Sequence, residues 1–151
     1  HGGVKDNFDL RGFMLGGQSG NLINAGQMDL SMDIDSCQQA ESVLGTGTIM
    51  VIDDRNDILD IVQNIMSFFI EESCGKCTPC REGNIRILEI LRRISGGEGR
   101  MEDLTLLEDL AGMMNVACLC GLGQNSSVAV ITSLHNFREV YVKAIERGRR
   151  A

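Results

Sequence analysis

Three cysteines stand at equal spacing near the middle of the 151-residue chain, in the Cys-x-x-Cys-x-x-Cys pattern formed by Cys74, Cys77 and Cys80. A cubane [4Fe–4S] cluster takes four thiolates, and three closely spaced cysteines can hold part of it while the fourth comes from elsewhere. Two further cysteines, Cys118 and Cys120, lie in a glycine-containing segment further along the chain. The residue types and their spacing therefore predict an iron–sulfur centre whose fourth ligand is either Cys118 or Cys120.

A structural zinc site is the main alternative for four thiolates. Zinc ligands usually come as two Cys-x-x-Cys pairs, whereas this chain has a triplet and a distant cysteine. A disulfide framework is disfavoured, because nothing marks the chain as secreted and the spacing is typical of metal ligation. We expect an iron–sulfur cluster, with zinc as a substitute metal. The alternative function is a zinc-stapled interaction domain without redox activity.

Four stretches with apolar residues at helical spacing predict the helices that would position these thiols. The stretches are Ile58–Phe69, Ile85–Ile94, Leu104–Met114 and one long helix over Val128–Ile145. Short connections between such helices favour an antiparallel four-helix bundle. In that arrangement the first and third connections lie at the same end of the bundle. Because one carries the cysteine triplet and the other carries Cys118 and Cys120, the sequence order brings the fourth thiol to the first three.

The first third of the chain has a different composition, with half of the 18 glycines and a net negative charge. Its pattern predicts short strands at Leu10–Leu15, Asn21–Ile23 and Ile49–Ile52, with a short helix over Ser36–Leu44 packed on the sheet. The boundary to the helical part lies near Ile52–Asn56. The predicted fold class is therefore α+β.

The residues next to the cysteines fit a negatively charged cluster. Gly75 and Gly121 allow close approach of the backbone and a positive φ. Lys76 and Arg81 would offset the cluster's negative charge, as would the N-terminus of the helix that begins near Arg81. We expect these groups to surround the ligands and to raise the reduction potential.

The charge balance limits the partners of the chain. It has 14 basic and 21 acidic residues, a formal net charge of −7, and this argues against nucleic acid as the main partner. No apolar run approaches the roughly 20 residues that span a bilayer, so membrane insertion is not expected. Iron–sulfur chemistry and free thiols favour a reducing compartment, the cytoplasm or the cytoplasmic side of a membrane-associated complex.

The segments Glu72–Gly83 and Cys120–Gly123 closely resemble the C-terminal iron–sulfur domain of one family. The family comprises the NADH-binding flavin subunits of respiratory complex I, of NAD(P)-linked hydrogenases and of NAD-dependent formate dehydrogenases. The stretches Met32–Ser36, Leu44–Gly47 and Ile49–Asp53 are similar to the soluble-ligand-binding β-grasp domain that precedes the cluster domain there. The resemblance implies a partial β-grasp domain over residues 1–54 and a four-helix [4Fe–4S] domain over residues 55–151.

The resemblance also implies a set of ligands and a role. The cluster would be ligated by Cys74, Cys77, Cys80 and Cys120, because the family's fourth ligand directly precedes x-Leu-Gly, which selects Cys120 over Cys118. It would relay single electrons from a reduced flavin to further iron–sulfur centres. The implied partners are an FMN- and NADH-binding domain upstream and the other iron–sulfur subunits of the same oxidoreductase complex.

Some functions of the family have no residues in this chain. No glycine-rich flavin or dinucleotide loop is readable in the sequence. The segment 16–20 superficially resembles a phosphate loop, but it lacks the Lys-Ser/Thr ending and a following helix and is interpreted as a turn between strands. FMN and NAD(P)H sites therefore belong to the upstream domain, and we predict no catalytic residue and no activity for this chain alone. A third hypothesis, a regulatory ligand binder, predicts a small-molecule pocket among residues 1–50.

Overall fold

A small sheet packs against a larger set of helices. The computed structural model describes Val4, residues 8–39, Ser42 and residues 44–150. The strands are β1 (Leu10–Leu15), β2 (Asn21–Asn24) and β3 (Ile49–Asp53). β1 lies in the middle and pairs antiparallel with both neighbours, in the order β2-β1-β3. All three strands were predicted from the sequence.

Helices make up most of the rest of the described chain. A single 3₁₀ turn (Ala25–Gln27) follows β2. The helices are α1 (Ile34–Gln39), α2 (Ile58–Glu72), α3 (Thr78–Ser95), α4 (Glu102–Ala117), α5 (Gly121–Asn125), α6 (Val128–Asn136) and α7 (Arg138–Arg150). The predicted α+β class is confirmed. No helix of the described residues is long and apolar enough to cross a bilayer.

The C-terminal end of α2 and the N-terminal end of α3 determine where the cysteine triplet lies. At the opposite end of α2, Asp57 caps the helix, and its carboxylate accepts a 2.8 Å hydrogen bond from the Leu59 N–H. Ser73 ends α2 in an extended conformation, and Cys77 precedes α3 in a similar conformation. Pro79 occupies the first turn of α3, where its missing N–H and fixed φ are tolerated. A short loop between two helix ends therefore carries Cys74.

Sheet and helices share one apolar core. The core of the helices includes Met14, Leu22 and Ile52 from the three strands, all at most 3% exposed. Polar contacts join β2 to α6. The Leu22 N–H donates to Thr132 Oγ1 at 3.0 Å, and Asn136 Nδ2 donates to the Leu22 carbonyl at 2.8 Å. The other face of the sheet has a small core under α1.

The prediction of one long fourth helix is wrong. The helix is interrupted at Phe137, where a φ of −138° and a ψ of 30° end α6, and α7 starts at the next residue. Two contacts with the sheet accompany the break: Asn136 bonds the Leu22 carbonyl, and the Phe137 ring lies against Gly12. A short helix that was not predicted, α5, separates the last cysteine from α6.

The predicted helix over Ser36–Leu44 is right in its existence and wrong in its bounds. α1 begins two residues earlier, at Ile34, where Asp33 Oδ1 accepts the Ser36 N–H at 2.8 Å. Ser42 and Leu44 lie outside the helix. Residues 40, 41 and 43 of the predicted helix lie outside the described residues. The domain boundary at residues 54/55 stays a prediction.

Candidate metal centre

The cysteine triplet lies at the end of the α2–α3 hairpin. Cys74 is exposed in the loop, Cys77 is half-buried directly before α3, and Cys80 is buried in the first turn of that helix. Gly75 between them has a φ of +70°, a conformation that costs other residues free energy. The glycine therefore lets the loop turn between the first two thiols.

The second cysteine pair lies between α4 and α5. Cys118 ends α4, its N–H donating to the Met114 carbonyl at 3.1 Å, and its side chain is 3% exposed. Cys120 is exposed and directly precedes α5. The side chain of Gln124 returns from α5 and donates to the Cys118 carbonyl at 3.0 Å. This bond holds α5 against the end of α4.

The two cysteine-bearing connections meet, as the bundle topology predicts. The segment that carries Cys118 and Leu119 lies beside Cys77, because the Leu119 N–H and the Cys118 side chain both lower the pKa of the Cys77 thiol. A Cβ added at Gly123 would lie 2.9 Å from Cys118 Sγ and 3.2 Å from Cys80 Cβ. The close approach of α5 to α3 and α4 therefore requires glycine at position 123. The structure brings together Cys77, Cys80 and the segment 118–123.

The environments of the thiols differ. The N–H of Leu119, followed by the N–H of Cys80, lowers the pKa of Cys77. Burial, followed by the neighbouring sulfurs of Cys77 and Cys80, raises the pKa of Cys118 to about 11. Backbone donors around Cys77 favour its thiolate, which is the form that ligates metals. At the more deeply buried Cys118, the same surroundings favour the neutral thiol.

Two residues that were not predicted contact Cys80. Ser73 Oγ lies 3.3 Å from Cys80 Sγ, and Asn84 Nδ2 donates to the same sulfur at 3.4 Å. Asn84 stands four residues after Cys80 and so lies on the same face of α3. An amide within the apolar stripe of that helix was the signal that could have identified it.

The residues that were predicted to lie next to the cluster differ from one another in their contacts. Arg81 donates from Nη1 to the Gly75 carbonyl at 2.7 Å and also contacts Thr78 and Glu82. Its guanidinium thus holds the loop that carries Cys74. Lys76 is exposed. At Gly121 an added Cβ would meet only Asn125 Nδ2, at 3.9 Å. Lys76, Arg81, Gly75 and Gly121 stay predicted neighbours of the cluster.

The set of thiols fits an iron–sulfur centre. Within the described part of the chain, no three His, Cys, Asp or Glu side chains are already arranged around a single metal ion. The donors are nevertheless those that a cluster takes: thiols on two adjoining connections, with the Asn84 amide N–H directed at the sulfur atom of Cys80. A buried carbonyl beside them, Asn84 Oδ1, has no hydrogen-bond partner in the described structure. Cys37 is buried under the sheet and belongs to another core.

Comparison with known proteins connects this geometry with a family. Residues 60–144 match the model of the NADH-ubiquinone oxidoreductase-F iron–sulfur binding region. The chain is 38% identical over 148 residues to an NADH-quinone oxidoreductase subunit of Rhizobium meliloti, covering 98% of this chain and 35% of that protein. It is 33% identical over 140 residues to the HndC subunit of the NADP-reducing hydrogenase of Solidesulfovibrio fructosivorans, covering 93% of this chain and 29% of that protein.

A solved structure is also similar. The crystal structure of an NAD⁺-reducing [NiFe]-hydrogenase in the H₂-reduced state matches 91% of this chain and 24% of its own chain, with a TM-score of 0.81 and 30% identity. The chain thus spans about a third of the length of the curated relatives it matches. The resemblance inferred from the cysteine motif is confirmed. This chain belongs to the NADH-ubiquinone oxidoreductase-F iron–sulfur binding region family.

Proposed function

We propose that this chain is the electron-transfer module of an NAD(P)H-dependent oxidoreductase and binds one [4Fe–4S] cluster. The observation that carries the proposal is the contact between the two cysteine-bearing connections, in which a Cβ added at Gly123 would lie 2.9 Å from Cys118 Sγ and 3.2 Å from Cys80 Cβ. The family model, which describes an iron–sulfur binding region, supports it. When bound, the cluster supplies one-electron exchange at the end of the helical bundle.

We propose Cys74, Cys77, Cys80 and Cys120 as the ligands. Two observations favour Cys120 over Cys118. Cys120 is exposed and precedes the Gly-Leu-Gly segment, as the ligand does in the family motif. Cys118 is 3% exposed and packs against α5, where a Cβ added at Gly123 would lie 2.9 Å from its Sγ. Cys118 therefore serves as a buried contact beneath the site.

The chain's own residues prepare the site for a negatively charged group. The N–H groups of Leu119 and Cys80 lower the pKa of Cys77, and Asn84 Nδ2 donates to Cys80 Sγ. Arg81 places a positive charge beside the loop of Cys74 and Gly75. Donors and positive charge stabilise thiolates and favour the more reduced state of a cluster.

The wider role follows from the relatives. One is an NADH-quinone oxidoreductase subunit and another a subunit of an NADP-reducing hydrogenase. We propose that an FMN- and NAD(P)H-binding domain of the same protein delivers electrons to this module, and that iron–sulfur subunits of the complex accept them.

Anaerobic reconstitution with iron and sulfide tests the proposal. We expect a brown protein with visible absorption and, after dithionite reduction, the EPR signal of a reduced [4Fe–4S] cluster. Cys74→Ala and Cys120→Ala should lose the signal, whereas Cys118→Ala should retain it. Cys37→Ala is the matched control, since Cys37 is also buried but lies under the sheet. A colourless chain that binds one zinc ion and no cluster would refute the proposal in favour of the zinc-stapled domain.

A further inference from the structure

Asn84 is a buried polar residue whose amide nitrogen has a hydrogen-bond partner and whose amide oxygen has none in the described structure. It lies on α3 with no exposed surface, among the apolar residues of the bundle core. Its Nδ2 donates to Cys80 Sγ at 3.4 Å, while its Oδ1 is buried without a hydrogen-bond partner in the described structure. A buried carbonyl that lacks a partner costs free energy. The stability of the fold alone therefore does not account for an amide at this position.

The Cys80 sulfur has a second donor within reach. Ser73 Oγ lies 3.3 Å from Cys80 Sγ, and the same oxygen accepts the Gly75 N–H at 3.2 Å. Because Gly75 occupies the acceptor side of the hydroxyl, the hydroxyl hydrogen is available to donate to the sulfur. Cys80 is thus flanked by two donors although it is only 5% exposed.

Two donors suit a charged sulfur better than a neutral one. A thiol is a weak acceptor, whereas a thiolate forms stronger, charge-assisted hydrogen bonds. In the buried surroundings of Cys80, water is largely excluded and these donors replace it. The N–H side of the Asn84 amide is the side that stabilises a thiolate, and the carbonyl side would repel it.

We infer that Asn84 is a positioning residue that fixes the Cys80 thiolate and raises the reduction potential of the bound cluster. The inference rests on the proposed function and extends it to a residue outside the cysteine motif. Hydrogen bonds to ligand sulfurs stabilise the added negative charge of the reduced state, so they raise the potential. Ser73 makes a parallel contribution from the end of α2.

Asn84→Leu separates this role from a structural one. Leucine has a similar size and removes both the N–H donor and the buried carbonyl. We expect the reconstituted full chain to show a roughly tenfold smaller equilibrium constant for cluster reduction, about 59 mV for a one-electron couple. A redox titration monitored by EPR measures it. The melting temperature of the cluster-free chain should stay the same or rise. Asn64→Leu, at an exposed position of α2, is the control and should keep the wild-type potential.

Each possible result for Asn84→Leu either supports or contradicts the inference. A lowered potential supports it, as does loss of the cluster from Asn84→Leu when the cluster-free variant is as stable as wild type. An unchanged potential overturns it, as does loss of the cluster together with a lowered melting temperature, because Asn84 would then be a packing residue. Failure of the wild-type chain to take up a cluster is a different result, since it would overturn the proposed function together with the inference.

Discussion

Gly123 and Cys118 are in such close contact that a Cβ added to the glycine would lie 2.8 Å from Cys118 Cβ. The same added atom would approach Cys80, on another helix. Three helices, α3, α4 and α5, therefore meet at one point under the candidate cluster. The distance between the two cysteine-bearing connections depends on the small size of this residue.

Gly123→Ala should destabilise the chain by about 1–3 kcal/mol, since the added methyl group must displace backbone-anchored atoms in a packed core. Urea unfolding measures the change. Gly112→Ala is a matched control, because Gly112 lies within α4 and an added Cβ there meets nothing within 4 Å. That variant should gain up to about 1 kcal/mol from helix propensity. Equal stability of the two variants would contradict the close contact at Gly123.

Arg81→Ala should loosen the loop that carries Cys74. The bond from Arg81 to the Gly75 carbonyl joins the loop to the first turn of α3. The guanidinium is exposed, so we expect a loss of less than about 1 kcal/mol in folding free energy. The larger effect should be several-fold faster release of iron to a chelator. Arg86→Ala, further along α3 and exposed, should release iron at the wild-type rate.

Asp103 should make stability depend on pH in the acid range. Burial alone raises the pKa of Asp103, but hydrogen bonds from Arg93 and from the Arg100 N–H outweigh burial, so the pKa lies below its ordinary value of 3.8. A lowered carboxyl pKa contributes stability that is fully present above the unfolded-state pKa and is lost as the pH falls through the folded-state pKa. The contribution therefore begins to decline near pH 3.8 and is lost once the pH falls below the lower pKa of the folded state.

Asp103→Asn tests this dependence. At pH 7 the variant should lose about 1–3 kcal/mol, since the partly buried hydrogen bonds between the Asp103 carboxylate and the Arg93 guanidinium lose the negative charge of the acceptor. Thermal unfolding at a series of pH values should show the difference from wild type narrowing below pH 3.8. Asp109→Asn, at an exposed position of the same helix, should follow the wild type at every pH. A constant difference for Asp103→Asn would contradict the prediction.

Asn136→Ala should weaken the attachment of the sheet to the helices. Its amide donates to the Leu22 carbonyl at 2.8 Å, and its own oxygen accepts from Asn24 at 3.3 Å. Loss of these bonds leaves a largely buried carbonyl of β2 without its donor, which should cost about 1–2 kcal/mol. Urea unfolding checks the change. The exposed neighbour His135 provides the control, and His135→Ala should be close to neutral.

The elements that depend on local pattern were predictable. The bounds of β1 agree with the predicted Leu10–Leu15, and α2, α3 and α4 follow their apolar stripes. The break at Phe137 was not predictable, because Leu134, Phe137 and Tyr141 continue the helical period without a glycine or proline between them. Contacts with β1 and β2, which are distant in sequence, accompany the interruption.

Some features of the candidate site could likewise be predicted from the sequence, and others could not. Spacing and topology predicted that the cysteine triplet and the segment around Cys118 and Cys120 meet, and the two connections do meet. The four-residue spacing places Asn84 on the same face of α3 as Cys80, but the hydrogen bonds that Asn84 and Ser73 make with the Cys80 sulfur depend on side-chain conformations that the sequence does not give. The choice of the fourth ligand stays a prediction that the variants of Cys118 and Cys120 test.

The shared core has a consequence for protein engineering. Met14, Leu22 and Ile52 of the strands pack into the same core as the helices, and the Phe137 ring rests on Gly12. A chimera that transplants only the cysteine-bearing helices would therefore expose an apolar surface where the strands had been. The smallest transferable cassette should include the sheet, and we expect it to melt in a single cooperative transition.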